Sequence, residues 1–154
     1  MDRHIVEEYR ADGGLLLDAI QGLNPIQMNT RPVADTWTIQ EIVVHMFDRE
    51  LIAVHRLRRL IAEQNPLLIG YDESAFARSL FYEKTDPVLA ASMVKNLREM
   101  MADTLNLCPP EAFEKVGVHS ETGRIQVADY LKKNVEHLRH HMKFLNEKKK
   151  MVQR

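Results

Sequence analysis

Four long stretches of this chain repeat apolar residues at helical spacing, and Pro, Gly or Asn separates each from the next. No other feature constrains the fold as much. Helices that carry one apolar stripe each bury it against one another, so the pattern predicts an all-α four-helix bundle. The first stretch runs from about Asp2 to Leu23, with Ile5, Tyr9, Leu16, Ile20 and Leu23 on its stripe. Its Gly13-Gly14 pair weakens the middle by about 1 kcal/mol per glycine. The second opens on a capping-box pattern, Thr38 with Glu41 three residues later, and runs to "EQNP" near residue 65. The third has Asp86 as cap and Pro87 at its first position, carries Leu89, Met93, Leu97, Met100 and Leu105, and ends at "CPP". The fourth runs from about Ile125 into a lysine-rich tail, whose cations suit a helix C-terminus. "DESAFARSL" within the long crossover after the second stretch predicts a short extra helix, and the crossover's length means the bundle need not be simply up-and-down. No segment alternates with period two long enough to build a sheet.

Composition narrows the function classes. A net charge of -1 gives no electrostatic case for nucleic acid, and no run approaches the ~20 apolar residues of a membrane span. The single cysteine, Cys108, rules out an internal disulfide and any cysteine-rich zinc site, which fits a reducing cytoplasm. Residues 1–154 read as a single domain with a small-molecule partner.

Histidine placement carries most of the functional content. In "NVEHLRHHMKFL", residues 134–145, the core stripe is Leu131, Val135, Leu138, Met142 and Leu145. His140 falls on the solvated arc, whereas His137 and His141 lie four apart on the flank of the stripe, stacked on one face. Two imidazoles so placed can converge on one metal, although such a pair by itself more often binds nothing. On the second helix the stripe is Ile39, Ile42, Val43, Met46, Val54 and Leu57, and His45 sits on its flank. Glu50 falls near the centre of that stripe, where a carboxylate costs several kcal/mol unless it is paired. It is therefore either part of a polar network that orients ligating histidines or an interhelical clamp. His55 reads as solvated, and Asp48, one turn after His45, has a helical angle that points toward solvent. Arg49 could meet a substrate carboxylate, but an ion pair with a neighbouring acid is the simpler role. His119, Tyr71 and Asp72 could line the mouth of the bundle. Cys108 reads as structural, and His4, close to a terminus, is given no role.

Trp37 followed by Glu41 and His45, the crossover "IGYDESAF" and the closing His137-x-x-His140-His141 together resemble the DinB-like superfamily, its YfiT-type branch above all, over residues 15–147. That resemblance implies a four-helix bundle, frequent homodimers and a metal triad matching His45, His137 and His141. It also implies one divalent ion, zinc or nickel ahead of iron or manganese. Its characterised members include bacillithiol S-transferases and a mycothiol-dependent maleylpyruvate isomerase. Three neutral imidazoles leave coordination positions for water and substrate, as in catalytic sites. Such a site can activate water, for hydrolysis, or a low-molecular-weight thiol cosubstrate, for S-transfer. The expectation is a metal-dependent enzyme acting on a small electrophile, with thiol transfer ahead of hydrolysis and no catalytic residue assigned beyond a candidate supporting role for Glu50. The rivals are a non-catalytic stress-associated protein that binds a small ligand, and a bundle whose histidines are vestigial.

Overall fold

A computed structural model describes residues 3–153. The expected start of the first helix at Asp2 lies outside them. Helices α1 (His4–Ala11) and α2 (Leu15–Ile20) continue one another through a 3-10 turn at Asp12–Gly14, so the weak glycine pair tightens the helix without breaking it. A short α3 (Pro25–Asn29) leads to α4 (Ile39–Ala62). There Thr38 and Glu41 form both bonds of the expected capping box: the Thr38 hydroxyl accepts from the Glu41 N–H at 3.1 Å, and the Glu41 carboxylate accepts from the Thr38 N–H at 2.7 Å. The short helix expected in the crossover is α5 (Glu73–Ser79). Helix α6 (Pro87–Leu107) is capped by Asp86 as expected, and α7 (Val127–Val152) closes the bundle.

Cross-helix contacts fix the directions. Glu50 meets Arg98 and Gln40 meets Thr85, so α4 and α6 run parallel. Arg139 meets Asp12 and Lys149 meets Ala19, so α7 runs parallel to the α1–α2 arm. Arg10 on α1 pairs with Asp103 near the end of α6, which sets these two antiparallel. The order is up, down, down, up. Two consecutive parallel helices require the chain to travel back along the whole of α4, about 36 Å at 1.5 Å per residue. The long crossover between Glu63 and Asp86 makes that return journey.

The expectation of no sheet is corrected on a small scale. Strands β1 (Leu67–Leu68), β2 (Val116–His119) and β3 (Gly123–Gln126) form a three-stranded sheet at one end of the bundle, β1 parallel to β2 and β2 antiparallel to β3. Four residues are too few for a period-two signal to stand out. The hairpin turn depends on Gly123 at φ +77, a region that side chains disfavour. Gly117 is required for another reason: a Cβ there would lie 2.8 Å from the Pro66 carbonyl oxygen and 2.7 Å from Leu60. The close approach lets β1 pair with β2 and holds His119 at the end of the crossover.

Core stripes on α4 and α7 fall where the sequence places them, and Ile39, Ile42, Val43, Met46, Val54 and Leu57 all pack inward, as do Leu131, Val135, Leu138, Met142 and Leu145. On α6 the expected stripe is wrong. Leu89 (60% exposed) and Met100 (50%) face outward, while Ala90, Ala91, Val94, Arg98, Met101, Ala102 and Leu105 face the core. Three alanines share that inner face with larger side chains, and α6 approaches the first arm closely, where a Cβ at Gly13 would lie 3.4 Å from the Arg98 Cβ. Only Leu105 of the expected set is fully buried, with Leu97 half-buried.

Candidate metal centre

His45 stands two turns into α4, a helix fixed at its start by the capping box, and is completely enclosed. His137 and His141 stand on the antiparallel α7, half-buried on the face turned to α4. The bundle brings all three together. Their rings lie 5.7 Å (His45–His137), 4.8 Å (His45–His141) and 4.6 Å (His137–His141) apart between centroids. One nitrogen from each falls within 4.8 Å of the others, the only such group of three among the described residues. Donors on one ion with bonds of about 2.0–2.1 Å sit roughly 3.0–3.4 Å apart, so rotations about side-chain bonds suffice to close the set.

Hydrogen bonding supports the fit. Both ring nitrogens of His45 and Nδ1 of His137 are buried without a hydrogen-bond partner. A buried polar nitrogen left unsatisfied costs about 1–3 kcal/mol, and a cation at the centre would satisfy those that face it. Protonation offers no escape. Burial, then the neighbouring His141 and Arg49, hold His45 down at about 3. Burial, then Arg49 and the other histidines, hold His137 at about 3. Burial, then His140 and Arg49, hold His141 at about 4. All three imidazoles are neutral at pH 7, the form that ligates metal.

These depressions have a consequence for stability. In the unfolded chain each histidine titrates near 6.5. Between about pH 4 and 6.5 the unfolded state therefore binds more protons than the native state, and stability rises with pH. It is present in full above about pH 6.5 and is lost as pH falls toward 4, each differing proton contributing a slope of about 1.4 kcal/mol per pH unit. For metal-free protein, urea unfolding between pH 7 and pH 4.5 is expected to show this slope, shallower in His137→Gln. Equal slopes in both proteins would sink the assignment.

Trp37, directly before the α4 cap, covers one side of the triad. Its ring lies 4.6 Å from His45 and stacks toward His141 at 6.4 Å, 17° from parallel. Beyond it opens a largely apolar cavity of about 370 Å³ lined by Val33, Trp37, Ile42, His141, Phe144 and Met151. Toward the other end of α4, Arg49, Arg56, Tyr71, His119, Tyr130 and Lys133 line a polar pocket of about 200 Å³. His140 is exposed, its ring against Phe144, as the helical angles require. His55 is exposed as well.

Other expectations need revising. Asp48 does not face solvent: it is 9% exposed and accepts a hydrogen bond from the Tyr82 hydroxyl, because the crossover folds over this face of α4. Among the described residues Arg49 makes no ion pair, and its guanidinium donates to the Tyr130 hydroxyl at 3.3 Å. Glu50 accepts from the Tyr9 hydroxyl and from Arg98 Nε at 2.8 Å, with no bond to His45. It is an interhelical clamp and supports the site only through the helices. Cys108 donates its thiol to the Thr104 carbonyl at the end of α6, a structural position. Asp72 caps α5. Tyr130 and Arg56 were not singled out by sequence, since their convergence depends on the pairing of α4 with α7.

Comparison with known proteins agrees with this picture. The sequence profile of the DinB superfamily matches residues 8–145. An Oceanobacillus iheyensis protein named "putative metal-dependent hydrolase" is 27% identical over 129 residues, covering 83% of this chain and 74% of that protein. A Bacillus cereus protein of the same name is 27% identical over 137 residues, covering 89% and 79%. Among solved structures, YfiT from Bacillus subtilis, described as "a probable metal-dependent hydrolase with an unusual four-helix bundle topology", superposes with a TM-score of 0.88 at 20% identity, over 94% of this chain and 83% of that one. At that identity the likeness speaks to the fold.

Proposed function

The chain belongs to the DinB superfamily, and from that premise we propose that it is a metal-dependent enzyme whose single divalent ion is held by His45, His137 and His141. One observation carries the reading: three neutral imidazoles from two facing helices bring one nitrogen each within 4.8 Å of the others, and both nitrogens of His45 and Nδ1 of His137 are buried without another partner. A bound divalent ion, zinc or nickel as the family resemblance implies and imidazole donors allow, would supply Lewis-acid polarisation and lower the pKa of a coordinated water or thiol toward neutrality. The protein's own part is to keep the three rings neutral, orient them through α4 and α7, and exclude bulk water with Trp37.

Activation of a small thiol against an electrophile and activation of water both fit three protein ligands with open positions. Two separate pockets flanking the triad, one apolar and one cationic, favour S-transfer, which must seat two molecules. The relatives named as hydrolases favour water. The test is metal content of untagged protein purified without chelator, followed by assays of thiol transfer and ester or amide hydrolysis before and after chelation. About one ion per chain and chelator-sensitive turnover are expected. No ion after reconstitution with zinc, nickel and manganese would defeat the proposal.

A further inference from the structure

Elsewhere this chain obeys the usual rule for an enclosed guanidinium: Arg98, fully buried, is bonded to the Glu50 carboxylate. The polar pocket breaks that rule. Arg49 and Arg56 lie seven residues apart on α4, yet both reach the same phenol, each Nη1 donating to the Tyr130 hydroxyl at 3.3 Å. Arg56 is 6% exposed and Arg49 half-buried, and among the described residues no carboxylate lies within 4 Å of either guanidinium. Arg56 also donates to the Ile69 carbonyl in the crossover, which fixes its fork. Two like charges are thus held together over a 200 Å³ pocket with no carboxylate in direct contact among the described residues.

The remaining lining completes a donor set. Tyr130 accepts from both arginines, which leaves its O–H to donate. Nδ1 of His119 accepts the Glu121 N–H at 3.2 Å, which puts the neutral ring's proton on Nε2. Lys133 adds a cation at the exposed side. The two acids of the lining, half-buried Glu73 and exposed Glu121, do not reach the guanidiniums. Planar guanidinium forks match carboxylate and phosphate oxygens bidentately.

We infer that this pocket is an oxyanion subsite, in which Arg49 and Arg56, with Tyr130 and His119, bind a carboxylate or phosphate group of a small ligand. For the role of that ligand the inference rests on the proposed function. Arg49 is one helical turn, about 6 Å, from His45, and Tyr130 is about 10 Å along α7 from His137. The substrate or thiol cosubstrate therefore carries its anionic group roughly one to two helical turns from the reacting atom.

The test reads the pocket directly and needs no turnover. Metal-free protein, labelled at the arginine side chains with ¹⁵N, is titrated with succinate in one arm and inorganic phosphate in the other. Saturable shifts of the Arg49 and Arg56 Nε resonances are expected in at least one arm, and that arm identifies the oxyanion. In Arg56→Met the affinity falls about tenfold or more, as loss of a charge-assisted bond implies, with Arg56→Lys between the two. Absence of saturation in both arms of wild type up to tens of millimolar, or an unchanged affinity in a folded Arg56→Met, would overturn the subsite. A zinc titration of the same samples keeps the two ideas apart. Zinc binding without anion binding defeats only the subsite, and anion binding without zinc binding defeats only the metal reading.

Discussion

Replacing Arg98 by alanine is expected to lower the unfolding free energy by about 3–5 kcal/mol, among the largest losses any single substitution in this chain can produce. The side chain is inaccessible to solvent and touches every arm of the bundle. Its Nε donates to Glu50 on α4 at 2.8 Å, Nη1 to the Tyr9 carbonyl on α1 at 3.3 Å, and Nη2 to the Asn134 carbonyl on α7 at 3.1 Å. The guanidinium also lies 4.5 Å from the centre of the Tyr9 ring. Truncation strands a buried carboxylate and removes the donor from two buried carbonyls, and the stranded charge dominates. Arg98→Met combined with Glu50→Met removes both charges at similar volume and is expected to recover most of the loss, since apolar replacement of a buried pair is often neutral. Equilibrium urea denaturation of the wild type and the two variants measures this. A loss below about 1 kcal/mol for the single variant, the scale of an exposed ion pair, would show that the clamp does not hold the bundle. Glu50 stands five residues after His45 and Asn134 three before His137, so the clamp also sets the spacing of the helices that carry the triad.

Legibility from sequence followed the range of the interactions. Features that depend on one helix were readable: the capping box at Thr38, the Asp86 cap, the stripes of α4 and α7, and the exposed position of His140. So was the anomaly of Glu50, because a carboxylate on an apolar stripe conflicts with its surroundings within the helix itself. Its partner was not readable. Arg98 breaks the inner face of α6 in the same way, but Leu89, Met93 and Met100 form a competing stripe that hides the break. Periodicity ranks residues by apolarity, and the buried face of α6, with three alanines and an arginine, is less apolar than the exposed stripe that competes with it. Asp48 failed for another reason. A helical angle gives direction only, and the crossover that brings Tyr82 over Asp48 lies far along the chain. The polar pocket needs α4, α7, the crossover and the hairpin together, and no local pattern encodes that meeting.

In metal-binding assays, His45→Ala is expected to weaken divalent-ion affinity by about 100-fold or more, because loss even of a group that only orients a ligand commonly costs 10–100-fold. The fold should survive the change. His45 is enclosed with both ring nitrogens unsatisfied, so truncation opens a cavity but relieves an unpaired polar group, and the two terms oppose one another. Thermal unfolding separates the outcomes without any knowledge of substrate. An ion that binds only the native state stabilises it by about 2.7 kcal/mol at a free concentration 100 times its Kd. Zinc or nickel should therefore raise the melting temperature of the wild type and leave that of His45→Ala unmoved. His140→Ala supplies the control, since this imidazole is next to His141 in sequence but turned to solvent, and its melting temperature should rise with metal as the wild type's does. A metal response retained in His45→Ala but lost in His140→Ala would place the ion on the outer face of α7 and remove α4 from the site. The triad requires the reverse, because the ion it proposes lies between two helices and takes a ligand from each.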